Sequence, residues 1–165
     1  MPALTDDALT AAVRADFDRL AAFDEAGWSH NSHYHGYLLR QLPARVDRGL
    51  DVGCGTGTFA RLLAARAGSV LGLDFSPEMI ARARARSAGQ ANITYEVADV
   101  RTWPWPAASF DCIASIATLH HLPLAETLGQ MAGTLRPGGA LLVLDLYQAA
   151  TPADFAVSGL AVPVS

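Results

Sequence analysis

Leu50-Asp51-Val52-Gly53-Cys54-Gly55-Thr56-Gly57 decides how this chain is read. A strand-like run enters a turn with glycine at every second position, and an Ala-rich stretch over residues 57–67 follows it, which predicts strand, tight turn and helix. Glycine belongs in such a turn because a side chain would block a ligand from the backbone and would disfavour positive φ. A bare strand-to-helix turn is the alternative. Dinucleotide-binding folds write the turn as G-x-G-x-x-G, with a helix N-terminus facing a pyrophosphate; here the third glycine position holds Thr58. Asp51 stands two residues before the first glycine, where a negative charge opposes a pyrophosphate and suits an ammonium group. No basic residue occurs from Asp51 to Ala60, so the turn fits a ligand that is not strongly anionic.

Outward from this turn, short apolar runs alternate with helical patterns, as strand-helix-strand units around a parallel sheet require. The expected strands are 48–53, 69–74, 93–98, 110–116 and 140–146. The helix over 77–88 has Ser76 as N-cap and Pro77 at its first position. The helix over 123–135 puts Leu124, Leu128, Met131 and Leu135 on one side and stops before Pro137-Gly138-Gly139, a tight turn feeding the last strand. Upstream, Leu9, Val13, Phe17 and Leu20 mark an amphipathic helix over 5–23, and Tyr34, Leu38 and Leu42 a second over 31–42, ended by Pro43.

One domain of 165 residues suffices to bury a core without a metal or disulfide. Half the residues are apolar and mean hydropathy is slightly positive, which excludes disorder. All twelve basic residues are arginine, set against sixteen acids, so no general footprint for nucleic acid exists. Cys54 and Cys112 have neither disulfide-framework nor zinc spacing. With no apolar run of eighteen residues and Asp6 and Asp7 near the start, no membrane span or signal peptide is expected, and the location expected is cytoplasmic.

Further motifs follow in order: Leu71-Gly72-Leu73-Asp74-Phe75-Ser76, Ala98-Asp99-Val100, Ser109-Phe110-Asp111-Cys112-Ile113 and Leu135-Arg136-Pro137-Gly138-Gly139. Each is common alone; as an ordered set from about Arg48 to Leu146 they resemble the class I S-adenosylmethionine-dependent methyltransferases, in particular the small-molecule group. The resemblance implies a Rossmann-like, doubly wound, mainly parallel sheet in strand order 3-2-1-4-5, preceded by N-terminal helices. It divides the chain into a helical cap segment at 1–43, a cofactor-binding α/β core at 44–146 and a tail at 147–165.

The same resemblance implies roles residue by residue. S-Adenosylmethionine carries an ammonium, a carboxylate and a sulfonium, net positive, and two ribose hydroxyls. Asp51 with the backbone of Gly53, Cys54, Gly55 and Gly57 would hold the methionine portion. Asp74 would accept both ribose hydroxyls, Asp99 the adenine amine, and Val100 would read the ring edge. Phe75 and Met79 would wall the base, and Ser115 would lie on the cofactor side. For Asp74 and Asp99 the alternative is a cap of the following helix. Asp111 is expected to be structural, and Arg82, Arg84 and Arg86, two apart on a helix, to be a solvated surface rather than a phosphate patch.

The acceptor side is less motif-like. Ser115-Ile116-Ala117-Thr118-Leu119-His120-His121-Leu122 lies where this family places residues between cofactor and substrate, and it lacks the signatures of DNA methyltransferases. His120 or His121 is the candidate base; a strand cap packed over the sheet edge is the alternative. His33, Tyr34 and His35 are the other group, Tyr34 and His35 being read as substrate-side, with a solvated helix start as the alternative. Trp103-Pro104-Trp105-Pro106 reads as a stiff apolar connection covering the sheet. The expected reaction is methyl transfer to a small-molecule oxygen, nitrogen or carbon acceptor. A non-catalytic cofactor-binding module and a nicotinamide-dependent oxidoreductase are the alternatives. Family members carry two further strands, so the fifth strand is expected to be an apolar edge open to self-association, with Phe155, Val157, Leu160, Val162 and Val164 in the tail.

Overall fold

A computed structural model describes residues 32–43 and 45–145, together with Ala15, Asp18 and Arg19, which are helical. The rest of the expected helix over 5–23, and the tail from 146, lie outside the described residues.

Five strands, β1 (Val46–Val52), β2 (Ala67–Asp74), β3 (Ile93–Val97), β4 (Phe110–Ile116) and β5 (Leu135–Leu144), form one parallel sheet in the order β3-β2-β1-β4-β5. The order expected from the sequence is the order found. Parallel neighbours need crossovers, and α2 (Thr58–Ala64), α3 (Pro77–Arg86) and α4 (Leu124–Thr134) supply three of them. The β3–β4 connection carries the Trp-Pro pairs instead. α1 (Ser32–Arg40) precedes β1.

The central strands β1 and β4 are buried on both faces over most of their length because both faces of the sheet are covered, whereas on the edge strand β3 only Tyr95 is buried. On β4, Cys112 and Ala114 join a core with Leu38, Phe59, Leu63, Ile80 and Tyr95, while Phe110 and Ile113 join a second with Leu50, Leu73, Leu119 and Met131. Trp103 and Trp105 meet edge to face at 5.1 Å and pack on the second core, as their reading as sheet cover required.

Boundaries differ most at β5, which begins at Leu135, five residues before the expected start. Pro137-Gly138-Gly139 is not a turn before the strand but an irregularity within it. Phe110 pairs Leu135 and Cys112 pairs Ala140, so two residues of β4 face a longer stretch of β5. A proline is tolerated there because β5 is an edge strand. No helix among the described residues is long and apolar enough to cross a membrane.

Candidate functional site

The glycine turn leaves the carboxyl end of β1, at the crevice where neighbouring connections run to opposite sides of the sheet. Gly53 and Gly57 have φ of 71° and 77°. A Cβ on Gly53 would lie 2.1 Å from Thr118 Oγ1, and one on Gly57 2.4 Å from the Tyr95 hydroxyl, so the turn is closed in by two side chains that leave no room for a third. Gly53 N–H and Cys54 N–H donate to the Leu73 carbonyl at 2.8 and 2.9 Å, and Gly55 N–H donates to Asp74 Oδ2 at 2.8 Å.

Gly57 caps α2 without a side chain to offer, and the Asp51 carboxylate accepts the Ala60 N–H of that first turn instead. Its Oδ2 is buried without a partner. Burial pushes the Asp51 carboxyl up to about 7, against the Ala60 N–H and with the Asp74 charge adding. Asp74 also lies above the ordinary carboxylate range, through burial first, opposed by the Ser76, Gly55 and Phe75 N–H groups and reinforced by Asp18. Two neighbouring carboxylates held in this way favour a cationic ligand. The Cys54 thiol beside them is pushed far up by burial and by both aspartates, which leaves it inert.

Next to Asp74, Ser76 caps α3: its Oγ accepts Met79 N–H at 3.1 Å and donates to Asp18 of the N-terminal segment. Met79 is buried below that cap and Phe75 half-buried. Asp99 turns back on its own loop, accepting Arg101 N–H at 3.0 Å and pairing with the Arg101 guanidinium at 2.6 Å. The buried Val100 is fixed by Trp105 Nε1–H, which donates to its carbonyl at 2.9 Å.

β4 is followed by Ala117 at φ 53°, a left-handed position that costs a non-glycine residue roughly 1–2 kcal/mol. Its N–H donates to the Leu144 carbonyl at 2.7 Å, tying the turn to the end of β5. The 3₁₀ turn Leu119–His121 follows and brings His120 Nδ1 within 2.5 Å of Asp145 Oδ1, while His120 N–H donates to Asp145 Oδ2 at 3.2 Å. The His121 ring lies against that of His120, tilted by 45° with centroids 3.9 Å apart; its imidazole is held below the ordinary value by burial and then by His120, with Asp145 opposing. Sequence reasoning missed Asp145. The available signal was its place at the carboxyl end of an apolar strand, the same place Asp74 occupies.

Two expectations are corrected by this geometry. Ser115 is fully enclosed and its hydroxyl donates to the Val52 carbonyl at 3.2 Å, so it joins β4 to β1 rather than facing a ligand. His35 faces inward, 6% exposed and edge-on to Phe59 at 5.3 Å, because it shares the buried side of α1 with Leu38; burial lowers its pKa. Tyr34, beside it, is half exposed. On α3, Arg84 is exposed as expected and donates to the Tyr95 carbonyl at 2.7 Å, while the half-buried Arg86 donates to Thr56 Oγ1 at 2.8 Å. Asp111 is structural as expected, accepting Arg48 N–H at 2.8 Å and pairing with Arg136 at 3.0 Å.

Residues 50–139 match the model of a methyltransferase domain family. The chain is 38% identical over 118 residues to an uncharacterised methyltransferase of Mycobacterium tuberculosis (strain ATCC 25618 / H37Rv), covering 71% of this chain and 59% of that protein. It is 33% identical over 161 residues to the 27-O-demethylrifamycin SV methyltransferase of Amycolatopsis mediterranei (strain S699), covering 83% and 59%. Among solved structures it is similar to the N-methyltransferase NodS of Bradyrhizobium japonicum WM9 in complex with S-adenosylhomocysteine, at TM-score 0.70 and 26% identity over 79% of this chain and 71% of that one. The chain spans about three fifths of the length of these curated relatives. From the ordered motifs, the 3-2-1-4-5 sheet and the matching family model together, the chain belongs to the S-adenosylmethionine-dependent methyltransferases.

Proposed function

We propose that this chain transfers a methyl group from S-adenosylmethionine to a hydroxyl of a small-molecule acceptor. The observation that carries the choice of acceptor is the His120–Asp145 pair, beside the cofactor crevice at the carboxyl ends of β4 and β5. The residues present fit the cofactor: the orphaned Asp51 Oδ2 calls for a cationic donor such as its ammonium, and Asp74 is a ready acceptor for ribose hydroxyls. Phe75 and Met79 would wall the adenine, with Asp99 and Val100 at its edge once Asp99 shares its oxygens between Arg101 and the ring amine. When bound, the cofactor supplies a methyl group already activated on a sulfonium, so positioning does much of the work.

What remains is the acceptor's proton. With Nδ1–H donated to Asp145, His120 keeps the lone pair on Nε2, and Asp145 both fixes that tautomer and stabilises the imidazolium formed when the hydroxyl proton arrives. His121, held towards its neutral form by burial, is the neighbour rather than the base. Tyr34 is the exposed aromatic we assign to the acceptor side. The expected setting is the cytoplasm.

A screen of hydroxylated acceptors with mass detection of a gain of about 14 Da tests the reading, with His120→Ala expected to slow transfer while S-adenosylhomocysteine still binds. Transfer unaffected by His120→Ala would overturn the base assignment. We also infer self-association through β5, whose outer edge has no partner strand among the described residues and whose Val143 is exposed. Sedimentation across concentrations checks it, and a monomer throughout would overturn it.

A further inference from the structure

The glycine turn is the loosest backbone in the site by composition, since Gly53, Gly55 and Gly57 all take left-handed φ. Four of its residues are pinned through their own N–H groups: Gly53 and Cys54 to Leu73, Gly55 to Asp74, and Gly57 to the Cys54 carbonyl at 2.9 Å. Thr56, at the crest, is gripped by side chains. Its carbonyl accepts Arg61 Nη1–H from α2 at 2.8 Å, and its hydroxyl accepts Arg86 Nη1–H from the last residue of α3, also at 2.8 Å. Both are charge-assisted bonds to a residue only 7% exposed.

Arg86 is itself well placed. Arg84 donates to the Tyr95 carbonyl on β3, and Ser87 Oγ meets the Tyr95 hydroxyl at 2.8 Å. That hydroxyl is the group a side chain on Gly57 would strike. The C-terminal turn of α3 thus reaches the glycine turn twice, through the Tyr95 ring below Gly57 and through the Arg86 guanidinium at Thr56. A flat, forked guanidinium holds such a geometry where an ammonium, a point charge, does not.

We propose that Arg86, with Arg61, is a positioning residue for the cofactor: by clamping Thr56 from α3 and α2, the two guanidinium groups hold the glycine turn in the shape that receives the methionine portion. This rests on the turn being the cofactor cradle, and it adds a requirement carried by residues outside the family motifs. Holding the turn before the ligand arrives removes an ordering cost from binding. Losing the clamp therefore weakens cofactor binding while leaving the sheet and its cores in place.

The test is calorimetric titration of S-adenosylhomocysteine into the full chain, its Thr56→Val and Arg86→Lys variants, and the double variant, with the unfolding midpoint of each ligand-free protein measured alongside. Wild type binds if the cradle reading holds; no binding by folded wild type would overturn that reading and the clamp with it. With wild type binding, each single variant is expected to raise Kd roughly 10- to 100-fold, the worth of about one charge-assisted hydrogen bond. The double variant should be no weaker than the worse single one, because both remove the same bond. Unfolding midpoints should stay within a few degrees of wild type. Wild-type affinity in Thr56→Val, wild-type affinity in Arg86→Lys, or losses that simply add would each overturn the clamp. So would a fall in affinity matched by an equal loss of folding stability.

Discussion

Asp51 makes the cofactor site sensitive to pH, and the effect has a sign and a size. In the ligand-free protein burial lifts its carboxyl from 3.8 to about 7. The ammonium group that both S-adenosylmethionine and S-adenosylhomocysteine carry needs the carboxylate, so below about pH 7 binding must first expel a proton. Affinity should then fall about tenfold per pH unit, which makes S-adenosylhomocysteine bind roughly 30-fold more weakly at pH 5.5 than at pH 8. Folding responds the opposite way. A carboxyl whose folded pKa is raised favours the folded state below its unfolded value, and that advantage is lost as pH climbs from about 4 through 7. An ionised Asp51 therefore burdens the empty protein by about 4 kcal/mol above pH 7. Calorimetric titration between pH 5.5 and 8 provides the affinity, and thermal unfolding of the empty protein over the same range provides the stability. Asp51→Asn should bind weakly at pH 8, with much of the pH slope gone, and should unfold at a higher temperature there than wild type. Affinity that stays level across the range in wild type, or an Asp51→Asn variant that keeps the full slope, would refute the reasoning.

Other parts of the site give three shorter expectations. Asp145→Asn should lower the methylation rate of a hydroxyl acceptor by about 10²- to 10⁴-fold with S-adenosylhomocysteine affinity unchanged, because the amide has no charge to stabilise the imidazolium and its NH2 cannot replace the second oxygen that accepts from His120; initial rates against acceptor concentration check it. Gly57→Ala should cost about 2–5 kcal/mol in urea unfolding, the sum of a left-handed Cβ and a buried clash with Tyr95, whereas Gly55→Ala, with nothing within 4 Å, should cost only about 1–2. The Asp111 carboxyl is raised by burial, but the Arg48 N–H and the Arg136 guanidinium more than offset this and hold it below the ordinary value. Its stabilisation is present above about pH 4 and is lost as pH falls through the folded pKa, so Asp111→Asn should lower stability at pH 7 and reduce the loss seen on acidification below pH 4.

What the sequence determined by itself was whatever local periodicity and turn chemistry encode. Alternating apolar runs and helical patterns placed five strands, and Ser76-Pro77 marked the start of α3 to the residue. The ordered motifs around Asp51, Asp74 and Asp99 carried the resemblance that implies the cofactor, because each motif is itself a short contiguous stretch. Tertiary structure decided the rest, and in each case the reason is that the partners are far apart in the chain. Asp145 meets His120 across 25 residues and Arg86 meets Thr56 across 30, by the parallel pairing of β4 with β5 in one case and by the packing of α3 in the other. Ser115 passed as a ligand residue until the sheet enclosed it, and His35 until α1 turned that side towards Phe59. The Pro137-Gly138-Gly139 segment reads locally as a turn; only pairing with β4 could absorb it as an irregularity inside an edge strand, where a missing N–H costs little.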